Sequence, residues 1–364
     1  MVNLTLPKYL QELKPYIAGK SISEVQKKYG ISKLIKLASN ENPLGPSPKA
    51  IEAIKNALKD IHRYPDSQIK ELRYKIAAIS QLKPEQVVVG NGSDEIMGLI
   101  GQALLLPKEE VIIPYPAFSI YEKVATLAQA ILIKVPLKNL AIDLETIKEK
   151  ISKKTKLIFL TNPHNPTGSF FDANALEAFL KSIPSSTLVV LDEAYVNFVS
   201  QEKRFDSVIY LKKFPNLIIL RTFSKAYGLA GLRIGYGLMS AELASFLEAV
   251  RYPFNVNFLA QVAAAAALED KEFLEKTCQV VQKERNFLIK SLTSIGVKVY
   301  PSEANFLLIY VGKRAMEIYE NLLKKGIIVR PLTSYGLSEY LRISVGKHAE
   351  NQVFIEIFKE LWQR

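Results

Sequence analysis

Cysteine is nearly absent from this 364-residue chain. Cys278 stands alone, and one thiol cannot build an internal disulfide framework. Histidine occurs only three times and tryptophan once, so a metal site made of clustered imidazoles has little to draw on. No apolar run reaches the roughly 18 residues that a membrane helix needs. The G-x-x-x-x-G-K-[ST] nucleotide loop does not occur, and neither do repeats, low-complexity tracts or an obvious linker. The stretch Met1 to Gly19 scatters polar and charged residues where a leader would be basic and then apolar. Together these absences point to a cytoplasmic protein with no membrane partner.

What is present is ordinary for a globular protein: 48% hydrophobic and 23% charged residues. The length exceeds one simple core and suits two lobes. Lysine and arginine total 48 against 36 acidic residues, a formal charge of +12. Nucleic acid would call for a basic block with interleaved aromatics. The lysines instead are spread along helices, as in Lys27-Lys28, Lys153-Lys154 and Lys324-Lys325, and read as a solvated surface.

From Ser47 to Arg251, short apolar runs alternate with amphipathic ones. Strands are expected at Val87–Val89, Val111–Ile113, Ile131–Val135, Leu157–Leu160, Leu188–Leu191, Leu217–Leu220 and Ile234–Leu238. None alternates with period two, as fits strands covered on both faces, and the helices between them imply a mostly parallel sheet. After Asn257 the pattern changes to one long helical stretch, about Phe258–Leu292, followed by mixed strands and helices. The expected organisation is α/β: an N-terminal segment (1–45) packing on the lobes, a large lobe (46–256) and a smaller α+β lobe (257–364).

The residues that carry chemistry fall at the ends of those strands, where open α/β sheets bind ligands. Ser224 and Lys225 follow the strand Leu217–Leu220, with Arg233 eight residues on. A lysine there can be desolvated into a nucleophile, and hydroxyls with an arginine suit a phosphate monoester. Alone, the segment also fits an exposed lysine in a glycine-containing loop. Asp192 and Tyr195 follow Leu188–Leu191; a carboxylate there can pair with a cationic ring nitrogen and a tyrosine can reach a ring oxygen. Asn165, in Asn162-Pro163-His164-Asn165-Pro166-Thr167-Gly168, can donate to the same oxygen, although the segment also reads as a plain rigid turn. His164 is expected to be exposed and without a catalytic role. Gly90-Asn91-Gly92-Ser93-Asp94 joins a strand to a helix whose first amides, at Ser93 and Asp94, could hold phosphate or could simply be capped. Tyr115 and Phe118 are both placed to stack on a flat ring or to be core.

In order and placement this set resembles the fold-type I aminotransferases, and within them the histidinol-phosphate branch. The resemblance runs from Leu37-Ala38-Ser39-Asn40-Glu41-Asn42-Pro43 to Leu341-Arg342-Ile343-Ser344. It implies pyridoxal 5'-phosphate as cofactor, held as a Schiff base by Lys225, which also moves the substrate proton. It implies Asp192 on the ring nitrogen, Asn165 and Tyr195 on the ring oxygen, and Tyr115 as the stacking aromatic. Ser93, Asp94, Ser224 and Arg233 would take the phosphate. Tyr64, in Arg63-Tyr64-Pro65-Asp66, would reach the cofactor phosphate of a neighbouring subunit, making a homodimer with shared active sites.

The resemblance further assigns Arg342 to the substrate carboxylate and Arg330 to a second anion. A guanidinium fork accepts phosphate and carboxylate alike. The implied reaction converts L-histidinol phosphate and 2-oxoglutarate to imidazole acetol phosphate and L-glutamate, a step of histidine biosynthesis. The competing expectations are an aromatic aminotransferase or a threonine-phosphate decarboxylase on the same fold.

Overall fold

The computed structural model describes residues 7–11, 13 and 19–363. Most of the Met1–Gly19 stretch read above for a leader lies outside these residues. The strands are β1 (Ile35–Lys36), β2 (Val87–Gly90), β3 (Glu110–Tyr115), β4 (Ile131–Pro136), β5 (Thr155–Thr161), β6 (Leu188–Asp192), β7 (Leu217–Thr222), β8 (Gly235–Leu238), β9 (Lys298–Val299), β10 (Phe306–Tyr310), β11 (Ile327–Ile328), β12 (Arg330–Leu332) and β13 (Leu337–Ser344).

The large sheet runs β2-β8-β7-β6-β5-β3-β4. Its strands from β7 to β4 pair in parallel, whereas β8 runs against both β2 and β7. Although the strand sequences do not alternate, their side chains still do. Ile158, Leu160, Val189, Leu191, Leu217 and Ile219 enter one buried cluster, and Leu157, Phe159, Leu188, Val190, Ile218 and Leu220 enter the other. Both faces of the central strands are covered by helices, so most positions there are apolar. Burying each such side chain contributes about 1.5–3 kcal/mol. The result is a plate in which every strand but β8 ends toward one edge.

A second sheet, β12-β13-β10-β9, is antiparallel throughout. Its core holds Phe306, Leu307, Ile309, Leu341, Ile343, Phe354 and Phe358. The N-terminal segment joins this part of the molecule: β1 pairs in parallel with β11, and Leu37 and Ala38 are buried in the same cluster.

One expectation fails in detail. The helical stretch Phe258–Leu292 is two helices, Phe258–Leu268 and Lys271–Ser294, broken at Glu269-Asp270. Asp270 is drawn out of helical geometry (ψ 63°) and its carboxylate accepts from Ser47 Oγ at 2.5 Å. Ser47 is itself the cap of the helix Pro48–Ala57. Aspartate's affinity for hydrogen bonds outside the helix ladder outweighs the alanine run that precedes it. No helix among the described residues is long and apolar enough to cross a membrane.

Candidate active site

Strands β5, β6 and β7 end at Thr161, Asp192 and Thr222, and the helix Ser93–Leu104 starts beside them just after β2. The small sheet approaches from the opposite side. Between them lies a cavity of about 180 Å³ whose walls include Lys225, Asp192, Tyr195, Asn165, Arg330 and Arg342. A larger cavity, about 600 Å³ and lined by Phe170, Phe205 and Tyr300, shares no wall residue with it.

Lys225 is half-buried and lines the smaller cavity. Its Nζ donates to the Ser39 carbonyl at 3.1 Å and lies 5.8 Å from the centre of the Tyr195 ring. Burial, reinforced by the Arg342 charge and opposed by Glu41 and Asp94, brings its pKa down to about 8. Such an amine is neutral often enough near neutrality to attack a carbonyl.

Asp192 ends β6 as a fully enclosed carboxylate. Oδ2 accepts from Tyr121 Oη at 2.7 Å and Oδ1 accepts from the Ala194 amide at 3.0 Å. Among the described residues it makes no ion pair. Burial pushes its pKa up to about 6, with the two donated bonds pulling the other way. A buried carboxylate served only by neutral donors, facing a cavity, is a place for a cationic ring nitrogen. Tyr121 was not foreseen: its hydroxyl also accepts from Thr161 Oγ1 at 2.7 Å, and its ring stacks on Phe159 at 4.6 Å. Its spacing of three from Phe118, at the start of the helix Ile120–Leu127, was the available signal.

The anion end follows from backbone geometry. Gly92 precedes the helix at φ 79°, and no side chain caps that terminus, so the Ser93 and Asp94 amides open on the cavity. The positive φ favours glycine at this position, and its missing side chain leaves room for the Arg233 guanidinium. Arg233 Nη1 reaches Ser224 Oγ at 3.5 Å, and Nη2 reaches Asp94 at 3.5 Å. These long contacts leave the guanidinium able to turn to a stronger anion. The donor set fits a phosphate monoester.

The other wall is built by the small lobe. Arg330 and Arg342 are cross-strand partners in register on β12 and β13, and both side chains are buried. Arg342 donates to Asn165 Oδ1 at 2.6 Å and to the Ala38 carbonyl at 2.8 Å. This commits the acceptor end of the Asn165 amide to the arginine and leaves its NH₂ as the end that donates elsewhere. Arg330 lines this cavity and also an adjoining one of about 760 Å³ that includes Gly19, Lys20 and Tyr319.

One expectation is corrected, that for His164, and the rings of Phe118, Tyr115 and Tyr64 take the following places. Phe118, and not Tyr115, is in the wall beside Tyr121; Tyr115 has the Lys134 ammonium 4.4 Å over its ring. His164 is fully buried, not exposed: Nε2 meets the Pro116 carbonyl at 2.9 Å, tying the Asn165 loop to the Phe118 loop, and burial lowers its pKa to about 4. Tyr64 lies outside the cavity, 83% exposed and stacked on Phe254 at 4.7 Å.

Residues 32–358 match the family model for aminotransferase class I and II. A histidinol-phosphate aminotransferase of Carboxydothermus hydrogenoformans is 43% identical over 97% of this chain and 98% of its own length. Another, from Pasteurella multocida, is 44% identical over 97% of this chain and 96% of its own. The crystal structure of histidinol-phosphate aminotransferase from Sinorhizobium meliloti, solved with pyridoxal-5'-phosphate, superposes with a TM-score of 0.90 at 27% identity, covering 98% of this chain and 97% of that one. An end-to-end match in sequence and in fold leaves one conclusion: the chain belongs to the class I and II aminotransferases.

Proposed function

We propose that this aminotransferase uses pyridoxal 5'-phosphate to transfer the amino group of L-histidinol phosphate to 2-oxoglutarate, yielding imidazole acetol phosphate and L-glutamate in histidine biosynthesis. The observation that carries the substrate is the in-register pair Arg330 and Arg342, two buried guanidinium groups facing one small cavity with Lys225. Two forks in one wall suit a donor that ends in phosphate and an acceptor that carries two carboxylates.

When bound, pyridoxal phosphate supplies an aldehyde to receive the amino group and a ring to spread the electrons left on the substrate carbon. Lys225 is the amine that would bond that aldehyde and then carry the proton at the substrate carbon. With a pKa of about 8, roughly a tenth of it is neutral at pH 7 and half at pH 8. Asp192 would hold the ring nitrogen, while Asn165 and Tyr195 would hold the ring oxygen. The Ser93 and Asp94 amides, Ser224 and Arg233 would fix the phosphate, and Phe118 or Tyr115 would pack on the ring. The small lobe excludes water by burying both arginines. Exposed Tyr64, beside Phe254 and the exposed Tyr252, supports a homodimer in which each subunit completes its partner's site. A single cysteine and the biosynthetic reaction suit the cytoplasm.

The test is to assay both half-reactions with purified protein. L-Histidinol phosphate should be the best donor, with 2-oxoglutarate regenerating the starting form. Aromatic amino acids outperforming it, or carbon dioxide release from phosphothreonine without a keto acid, would overturn the substrate assignment.

A further inference from the structure

Asn40 is 1% exposed and sits where three parts of the chain meet. Its backbone has φ 55°, a left-handed conformation that asparagine tolerates far better than most residues. Every polar group it carries is engaged. Its amide N–H donates to Ser344 Oγ at 2.8 Å, and the Ser344 hydroxyl donates back to Asn40 Oδ1 at 2.8 Å. Its carbonyl accepts from Asn305 Nδ2 at 3.0 Å. Only Nδ2 remains, and it donates to Tyr195 Oη at 3.1 Å.

This pattern fixes direction. Ser344 Oγ accepts from the Asn40 backbone, so its own proton is the one available to Asn40 Oδ1. With Oδ1 occupied as an acceptor, the side-chain amide cannot flip without breaking that bond, and Nδ2 must face Tyr195. Tyr195 Oη therefore accepts from Asn40, and its proton is left to be given elsewhere.

We propose that Asn40, locked by Ser344, is a positioning residue that makes Tyr195 a hydrogen-bond donor into the cavity. Ser344 lies two residues after Arg342 on β13 and projects to the same face. The strand that offers the anion-binding guanidinium thus also sets the polarity of the tyrosine across the cavity. The inference rests on the reading that Tyr195 faces the ring oxygen of pyridoxal phosphate.

The decisive substitution is Asn40→Asp. It keeps size and left-handed tolerance, but the new oxygen can only accept, and it captures the Tyr195 proton. A tyrosine that donates to the ring oxygen favours its ionised form, so losing that donor moves the pH midpoint of the cofactor's visible absorbance upward. The expected rise is roughly 0.5–1 pH unit, the worth of one hydrogen bond. Tyr195→Phe should raise the midpoint at least as far, and adding Asn40→Asp to it should raise the midpoint by clearly less than it does in the parent. Ser344→Ala, which frees the amide to flip, should give a smaller rise in the same direction and serves if Asn40→Asp does not fold. Arg342, Asp192, Lys225 and Tyr335, the other charged and titrating neighbours of Tyr195, are kept in all of these. The carboxylate that Asn40→Asp adds acts through space with or without the tyrosine, so the Tyr195→Phe background measures that part, and Ser344→Ala adds no charge.

An Asn40→Asp holoenzyme with the parent's midpoint overturns the proposal. So does a shift of equal size in the Tyr195→Phe background, because a merely structural role would act without the tyrosine. A parent protein that develops no visible chromophore with pyridoxal phosphate is a different result. It overturns the functional reading, and this inference with it.

Discussion

The two walls of the cavity are built in different ways. The large-lobe wall consists of residues close in sequence at strand ends: Asp192 and Tyr195 after β6, Ser224 and Lys225 after β7, Ser93 and Asp94 after β2. Their placement is inherited from the register of one packed sheet. The small-lobe wall is held by bonds between distant segments, such as Arg342 to Asn165 across 177 residues and Ser344 to Asn40 across 304. The first wall carries an amine and a carboxylate whose pKa values burial has moved toward each other, to about 8 and about 6. The second carries two buried guanidinium groups, whose forks suit anions. Under the proposed function, this difference would give the chemistry to the plate and the selection to the lobe that packs over it.

The largest expected effect tests the chemical wall. Lys225→Ala should abolish the borohydride-reducible chromophore and lower the rate of transamination by roughly 10²–10⁴-fold or more, the scale of a lost proton-transfer group. Peptide mapping after reduction of the parent should place the label on Lys225. Label on any other lysine would break the division between the walls, because the reactive amine would then lie outside the plate.

The selecting wall should respond in KM. Arg342→Lys keeps the charge but loses the fork, and at about 1.5–3 kcal/mol for a charge-assisted pair, KM for both substrates should rise about 10–100-fold. Arg330→Lys should penalise L-histidinol phosphate by a similar factor while leaving the chromophore and its pH midpoint alone. Steady-state kinetics beside absorbance spectra separate the two. An Arg330→Lys enzyme with normal KM but a displaced chromophore midpoint would show that this wall tunes the chemistry directly.

The same contrast explains what could be read before the structure. All seven strands of the large sheet were legible because each is a short, mostly apolar run bounded by turn residues, even with Lys134 in β4 and two glycines in β8. Asp192, Lys225 and Ser224 were legible because they follow such runs closely. Phe118 and Tyr115 were not separable, since the turn after β3 decides which ring faces inward and the composition of the turn is the same either way. His164 was misplaced because a histidine among Pro, Asn and Gly reads as surface. Here the loop folds under Pro116 and buries it. Asn40 and Ser344 carried no local signal of these roles, and Tyr121 only its spacing of three from Phe118. Their roles arise only when helix, N-terminal segment and β13 are brought together. The break at Asp270 was hidden for a similar reason, its partner Ser47 being 223 residues away.

A smaller effect separates the chemical wall from any ligand. In the folded chain without cofactor, the Asp192 carboxyl has a pKa of about 6, against about 3.9 when unfolded. A carboxyl raised on folding binds its proton more tightly in the native state, so its contribution to stability is greatest below the unfolded pKa and is lost as pH rises through about 6. Asp192→Asn cannot ionise and escapes that loss. Relative to the parent, the variant's unfolding free energy should therefore grow by about 1–3 kcal/mol between pH 4 and pH 7 and level off above, whatever constant offset the altered hydrogen bonds to Tyr121 and Ala194 impose. Urea melts of both proteins across that range measure it. With pyridoxal phosphate bound, the ring nitrogen should supply the missing cation and remove the variant's advantage. A variant whose relative stability is flat from pH 4 to pH 7 would mean that the Asp192 carboxyl is not strained by burial, and that the Tyr121 and Ala194 donors alone are enough to keep it ionised.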